Sequence, residues 1–162
     1  MIRERLTVVI AACNEALALP VLHPRLCAVL DAMPDIDGHI LYVDDGSQDG
    51  TWEVIATLAQ SEPRVSALKL SRNFGKEAAL TAGLDLVREG AAMILDADGQ
   101  DPPELLPQFV ARWREGYDNV YGTRRARAGE SWVKRATAAM FYRVIGRLSR
   151  TPIRSEERRV GE

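Results

Sequence analysis

The chain has 162 residues, 46% of them hydrophobic and 27% charged, with a formal net charge of -2 at neutral pH. That length implies one domain, the apolar fraction is too high for a disordered chain, and the near-balanced charge excludes a global pull toward nucleic acid or toward acidic partners. No apolar run approaches the roughly 18 residues that cross a bilayer. The start, MIRERLTVVI, is too soon broken for a signal peptide, and the two cysteines, Cys13 and Cys27, give neither a disulfide framework nor metal-type spacing, which fits a reducing cytoplasm.

In chain order, Leu6–Ala12 (LTVVIAA) reads as a buried strand. Glu15–Met33 follows as a helix, with Leu19, Leu22, Leu26, Val29 and Leu30 at helical spacing and Pro20 and Pro24 blurring its start. His39–Val43 is a second strand, closed by the turn signal DDGS, and Thr51–Ala59 is helical. Val65–Leu70 is a third strand, and Gly75–Arg88 a helix with Leu80, Leu84 and Val87 on one face. Ala91–Leu95 is a fourth strand. Pro103–Glu115 is a helix with Leu105, Leu106, Phe109, Val110 and Trp113 inward, Asn119–Tyr121 a short strand, and Trp132–Arg150 a last helix. Strands alternating with helices predict an α/β fold, a mostly parallel sheet with helices on both faces. In such sheets ligands gather at the carboxyl ends of the strands.

Three of those strand ends carry polar clusters: Asn14-Glu15, Asp44-Asp45 and Asp96–Asp98. Turn and capping chemistry accounts for any one of them; all of them along one rim point to a site. Side chains two apart on extended backbone point the same way, so Asp96 and Asp98 are expected to face one small volume. Close carboxylates repel unless a cation lies beside them. A hard divalent ion with phosphate oxygens as further ligands suits such a pair, and Gln100 offers a neutral oxygen.

VDDGSQDGT (43–51), LSRNFGKEAALTAG (70–83), DADGQDPPE (96–104) and YGTR (121–124) stand in an order and spacing that resemble family 2 glycosyltransferases of the GT-A fold. Within that family the chain is most similar to the polyprenyl-phosphate glycosyltransferases, the group of dolichol-phosphate mannosyltransferase and the bactoprenol glucosyltransferases, from about Leu6 to about Ser149. The resemblance implies a metal-dependent, inverting transfer of sugar from a UDP- or GDP-linked donor to a polyprenyl phosphate. It implies donor contacts at Ala11, Cys13, Glu15, Val43, Asp45, Lys76, Asp96 and Ala97. Ala11 and Cys13 depart from the family's pattern, Cys13 replacing an aromatic residue. It implies metal ligation of Mg²⁺ or Mn²⁺ by Asp98 and Gln100, and catalytic roles for Asp98, Arg124 and Arg135, the arginines holding phosphates. The location it implies is cytoplasmic, at the inner face of the membrane, with no nucleic-acid partner.

A lipid phosphate is already about doubly charged near neutral pH and needs no general base. Its difficulty is approach to another anion, which arginines ease by gripping phosphate oxygens two at a time. TRRARAGESWVKR (123–135) supplies Arg124, Arg125, Arg127, Lys134 and Arg135 against one acid, Glu130. From 133 to 150, Val133, Thr137, Met140, Phe141, Val144, Ile145 and Leu148 share one side, with basic residues around much of the rest, a pattern shared by core-facing surface helices and membrane-interface helices; the resemblance favours the membrane surface. The glycosyltransferase domain is expected over residues 1–150. The tail 151–162, charged and aperiodic, reads as disordered or non-native, and the chain as C-terminally truncated.

Three other readings stay open: a donor-binding module with little turnover, a family 2 transferase with a hydroxyl acceptor, and a sugar nucleotidyltransferase. The second requires a general base that the residues do not obviously supply, and the third a glycine-rich phosphate loop that AACNEALALP lacks. His23 and His39 have no partner at catalytic spacing, and Trp52, Trp113 and Trp132 read as packing residues.

Overall fold

The computed structural model describes residues 3–122. Within them, β1 (Glu4–Ala12), β2 (Ile36–Asp44), β3 (Val65–Lys69) and β4 (Ala91–Ile94) form one sheet in the order β3-β2-β1-β4. Every pairing is parallel, with Val8 opposite Ile40 and Met93, and Ile40 opposite Val65. The helices are α1 (Leu19–Asp31), α2 (Thr51–Ser61), α3 (Lys76–Leu84) and α4 (Leu106–Arg114), the last entered through a 3-10 turn at Pro103–Leu105.

The strands alternate between two buried layers, as period-two backbone dictates. Val8, Ile10, Ile36, Ile40 and Tyr42 face α1, α2 and α4, where Leu19, Leu22, Leu26, Leu30, Ile55, Leu106 and Val110 meet them. Val9, Leu41 and Val43 face α3, where Ala79 and Leu80 cover them. A Cβ at Gly83 would lie 2.6 Å from Val9 Cγ1, so glycine is what lets α3 sit this close to the sheet.

The sequence reading and the fold differ at element ends. Helix α1 begins at Leu19 rather than Glu15, with Pro20 in its first turn and Pro24 inside it. An interior proline costs about 3 kcal/mol. Leu19, Leu22, Leu26 and Leu30, all buried, return about 2 kcal/mol each, so burial wins and the helix runs on. Helix α3 stops at Leu84, short of Arg88; Leu84 is exposed, and Val87 packs from the turn that follows. Leu105 is exposed because the 3-10 turn rotates it away from the face that buries Leu106. Residues 119–121 form no strand, so that expectation is corrected: the described sheet consists of β3, β2, β1 and β4, with β4 at its edge. The expected helix Trp132–Arg150 and the tail lie outside the described residues.

Both histidines are partnered. His23 Nδ1 lies 3.1 Å from the buried Tyr42 hydroxyl, and burial lowers the His23 pKa and raises that of Tyr42. His39 lies 3.2 Å from Arg5. Trp52 and Trp113 pack against the core.

No described helix is long and apolar enough to cross a membrane.

Candidate functional site

Parallel strands bring the loops after β1, β2, β3 and β4 to one rim of the sheet. Consecutive residues at the end of β2 point to opposite faces, and that splits the work of Asp44 and Asp45. Asp44 is fully buried on the α1–α2 side and accepts from the Ser47 amide at 3.2 Å, setting the turn. Asp45, 3% exposed, lies on the α3 side and accepts from the Phe74 and Gly75 amides at 2.8 and 2.9 Å. Gly46 between them and Ser47 has φ 65°, and a Cβ there would lie 2.3 Å from the Arg72 carbonyl carbon. Only glycine allows the second loop to touch the third in this way.

The first loop is clasped to the second by side chains. The Asn14 amide donates to Ser47 Oγ at 3.0 Å, and Asn14 Oδ1 accepts from the Gln48 amide at 2.9 Å. The Glu15 amide donates to Thr51 Oγ1 at 2.8 Å, and Thr51 Oγ1 donates to Asp49 Oδ1 at 2.5 Å. Asp49 Oδ2 accepts from the Ala16 amide at 3.3 Å. The Asp49 carboxyl therefore sits below its usual pKa range, chiefly through the Thr51 hydroxyl.

These loops enclose an open cleft of about 200 Å³, lined by Ala11, Cys13, Glu15, Asp45, Asn73, Lys76, Asp96, Ala97 and Asp98 among others. Lys76, the first residue of α3, places Nζ 2.6 Å from Asp96 Oδ1. Asp98 Oδ1 accepts from the Gln100 amide at 2.9 Å. The Glu15 carboxyl is pushed up by burial first, then by the charges of Asp98 and Asp49. Among the described residues the cleft is therefore lined by the carboxylates of Glu15, Asp45, Asp96 and Asp98 and by one lysine, Lys76. Such an arrangement attracts a cation, and through that cation an anion.

Most of the residues expected to contact the donor meet here, Ala11, Cys13, Glu15, Asp45, Lys76, Asp96 and Ala97, together with Asp98, expected as metal ligand and catalytic residue. Val43 does not. Its side chain is fully buried against α3, because the alternation that turns Asp44 toward α1 and α2 turns Val43 the other way. Asp96 and Asp98 share the cleft, though not on extended strand as expected: β4 ends at Ile94, and Ala97-Asp98 form a turn. Gln100 is exposed beside that turn and lies outside the cleft lining. Arg124 and Arg135 lie outside the described residues. Sequence reasoning passed over Asn73, whose Nδ2 lies 3.2 Å from Cys13 Sγ on the cleft wall. Its position directly before Phe74-Gly75 in an inter-element loop was the available signal. The clasp at Asp49 and Thr51 was also missed, although Asp-Gly-Thr opening a helix is a capping pattern.

The described residues contain no group of three or more His, Cys, Asp or Glu side chains arranged around a metal position. The donor set still suits a hard ion: carboxylates of Asp96 and Asp98 line one cleft, and the Asp98 charge adds to the upward push that burial gives the Glu15 carboxyl.

Comparison with known proteins fits this geometry. The model of Glycosyl transferase family 2 matches residues 7–159. An uncharacterized glycosyltransferase of Synechocystis sp. is 49% identical over 148 residues, 91% of this chain and 46% of that one. The bactoprenol glucosyl transferase of Shigella phage SfV is 36% identical over 158 residues, 98% of this chain and 50% of that one. The chain thus spans about half the length of the relatives it matches. Among solved structures, S. aureus TarS 1-349 in complex with UDP-GlcNAc superposes with a TM-score of 0.55 at 16% identity, over 78% of this chain and 38% of that one. A mannosyltransferase from Pyrobaculum calidifontis in complex with GDP-Man and Mn²⁺ gives 0.54 at 24% identity, over 68% of this chain and 32% of that one. The fold is that of the GT-A glycosyltransferases, and the chain belongs to glycosyltransferase family 2.

Proposed function

We propose that this chain carries the donor site of a polyprenyl-phosphate glycosyltransferase, which moves a sugar from a nucleotide-sugar to a lipid phosphate with inversion at the anomeric carbon. The observation that carries the reading is the cleft lined by Glu15, Asp45, Asp96, Asp98 and Lys76 at the carboxyl ends of the strands. The relatives named as bactoprenol glucosyl transferases support the acceptor class.

Asp98 and Asp96, with Gln100 beside them, are the residues that would hold Mg²⁺ or Mn²⁺. When bound, the ion supplies electrostatic stabilisation to the charge that grows on the departing diphosphate. The chain's own residues do the rest. Asp45 fixes the loop that presents Asn73 and Lys76, so that they need no ordering when ligand arrives. Lys76 is a cation within reach of a phosphate entering the cleft. Glu15 lines the same wall, its backbone pinned by Thr51. Arg124 and Arg135 are assigned to the phosphates of donor and acceptor, and the segment 133–150 to the membrane surface where the acceptor resides. The acceptor phosphate attacks without a general base, because it is already deprotonated.

The deciding experiment is calorimetric titration with UDP and with GDP, in Mn²⁺ and in EDTA, on the wild type and on Asp98→Ala. The expected result is metal-dependent binding of one nucleotide, weakened on the order of 100-fold by the substitution, since charge-assisted contacts are worth about 1.5–3 kcal/mol each. Nucleotide binding indifferent to both EDTA and Asp98→Ala would refute the assignment. A product that keeps the donor's anomeric configuration would refute inversion.

A further inference from the structure

The cleft sets a problem that its own lysine answers. Four carboxylates line it. The two Asp45 oxygens are turned to the Phe74 and Gly75 amides, and Asp98 Oδ1 is held by the Gln100 amide. Among the described residues, Asp96 is the one of these carboxylates that pairs with a side-chain cation, Lys76 Nζ at 2.6 Å. That cation occupies an oxygen that a divalent ion would need, and it cancels a charge that would draw the ion in. The pair is also easily opened. The Lys76 side chain is 55% exposed and that of Asp96 25%, and ion pairs so open to water hold weakly.

We infer that Lys76 is a resident counter-cation, which keeps Asp96 neutralised until the diphosphate of a nucleotide draws the ammonium away. The inference rests on the donor-site reading above and adds to it a rule of binding order. Metal alone must displace an ammonium from Asp96. Nucleotide alone brings its negative charge into an acidic cleft. Together, each removes the obstacle to the other: the diphosphate takes the ammonium, and the freed carboxylate takes the metal. Such coupling is reciprocal, so metal tightens nucleotide by the same factor by which nucleotide tightens metal. Asp96 and Lys76 are then the exchange point, whereas Asp98 binds metal in either case.

Free Mn²⁺, followed by electron paramagnetic resonance, tests this without any turnover. The wild-type chain is titrated with Mn²⁺ alone and again with saturating UDP or GDP, beside Lys76→Met and Lys76→Arg. The expected result is weak Mn²⁺ binding by the wild type, tightened about tenfold or more by nucleotide, within the usual range of coupling. Lys76→Met is expected to bind Mn²⁺ alone about threefold or more tighter than wild type, with nucleotide then adding little. Lys76→Arg keeps the charge and is expected to behave as the wild type does. Should Lys76→Met bind Mn²⁺ alone no better than the wild type, while the wild type shows metal-dependent nucleotide binding, the counter-cation role is wrong and the donor site stands. Should the wild type bind no nucleotide with Mn²⁺ present, both readings fall together.

Discussion

The two ends of the sheet hold charge in opposite ways. At the amino end, ionic groups meet ionic groups. Arg114 bonds Glu4 and Asp35, Arg64 bonds Glu62 and Asp31, and Arg5 lies near Asp37 and Glu89. At the carboxyl end, carboxylates are held mainly by neutral donors: Asp45 by two amides, Asp44 by one, Asp49 by the Thr51 amide and hydroxyl, and Asp98 by an amide. Neutral donors fix a carboxylate in place without cancelling its charge. The amino end is thereby finished as it stands, while among the described residues the carboxyl end keeps a surplus of negative charge in a fixed geometry, offset by the ammonium of Lys76.

That contrast can be broken by substitution. Asp45→Ala strips two amides near α3 of their acceptor and is expected to cost about 3 kcal/mol in urea unfolding, with nucleotide binding lost as the Asn73–Lys76 loop shifts. Gly46→Ala puts a side chain at positive φ against the Arg72 backbone and is expected to cost about 2 kcal/mol, with the same loss of binding. At the opposite end, Arg114→Ala breaks two ion pairs at once but touches only exposed side chains. Its urea midpoint is expected to be indistinguishable from the wild type and its nucleotide affinity unchanged. Equal stability costs for Asp45→Ala and Arg114→Ala would erase the distinction between the two ends.

Acid sharpens the comparison further. Glu62 lies below its usual pKa value, chiefly through the Arg64 side chain. Groups with a depressed folded pKa contribute stability above their unfolded values, which is lost as pH falls through the folded ones. Glu15 runs the other way: its raised pKa is a cost present above the folded value and relieved as pH falls, because the folded state then holds the extra proton. Thermal unfolding of the wild type is therefore expected to weaken below about pH 4.5, near the unfolded carboxylate values. Glu15→Gln is expected to melt slightly above the wild type at neutral pH, and at the same temperature once both are acidified. A Glu15→Gln variant that melts lower at neutral pH would show the Glu15 charge to be an asset in the folded protein.

The sequence was most informative where one physical signal dominated. Apolar runs located β1 and β2, and leucine spacing located α1, because burial outweighs every local preference there. Ends were less legible: α1 starts past Glu15 because Glu15 is committed to the Thr51 clasp, and β4 stops early because Ala97 and Asp98 form a turn. The cleft walls were legible as motifs, but Val43, on the same face of β2 as Asp45, lies one step deeper, in the core beside Ala79 and Leu80 rather than on the cleft. Nor does any local pattern reveal that Lys76 meets Asp96, twenty residues away, since that contact exists only once α3 packs on the sheet.

The loop-to-loop clasp has a dynamic consequence. Loop amides normally exchange their protons with water freely, being bonded to nothing. Here the amides of Asn14, Glu15, Gln48, Phe74 and Gly75 lie outside regular structure and still donate to side-chain acceptors. They are expected to exchange slowly, as a group, and at rates nearer those of the strands than those of turns. A rim that already holds still when empty surrenders little entropy when it fills, so more of each contact made with a ligand is kept as affinity.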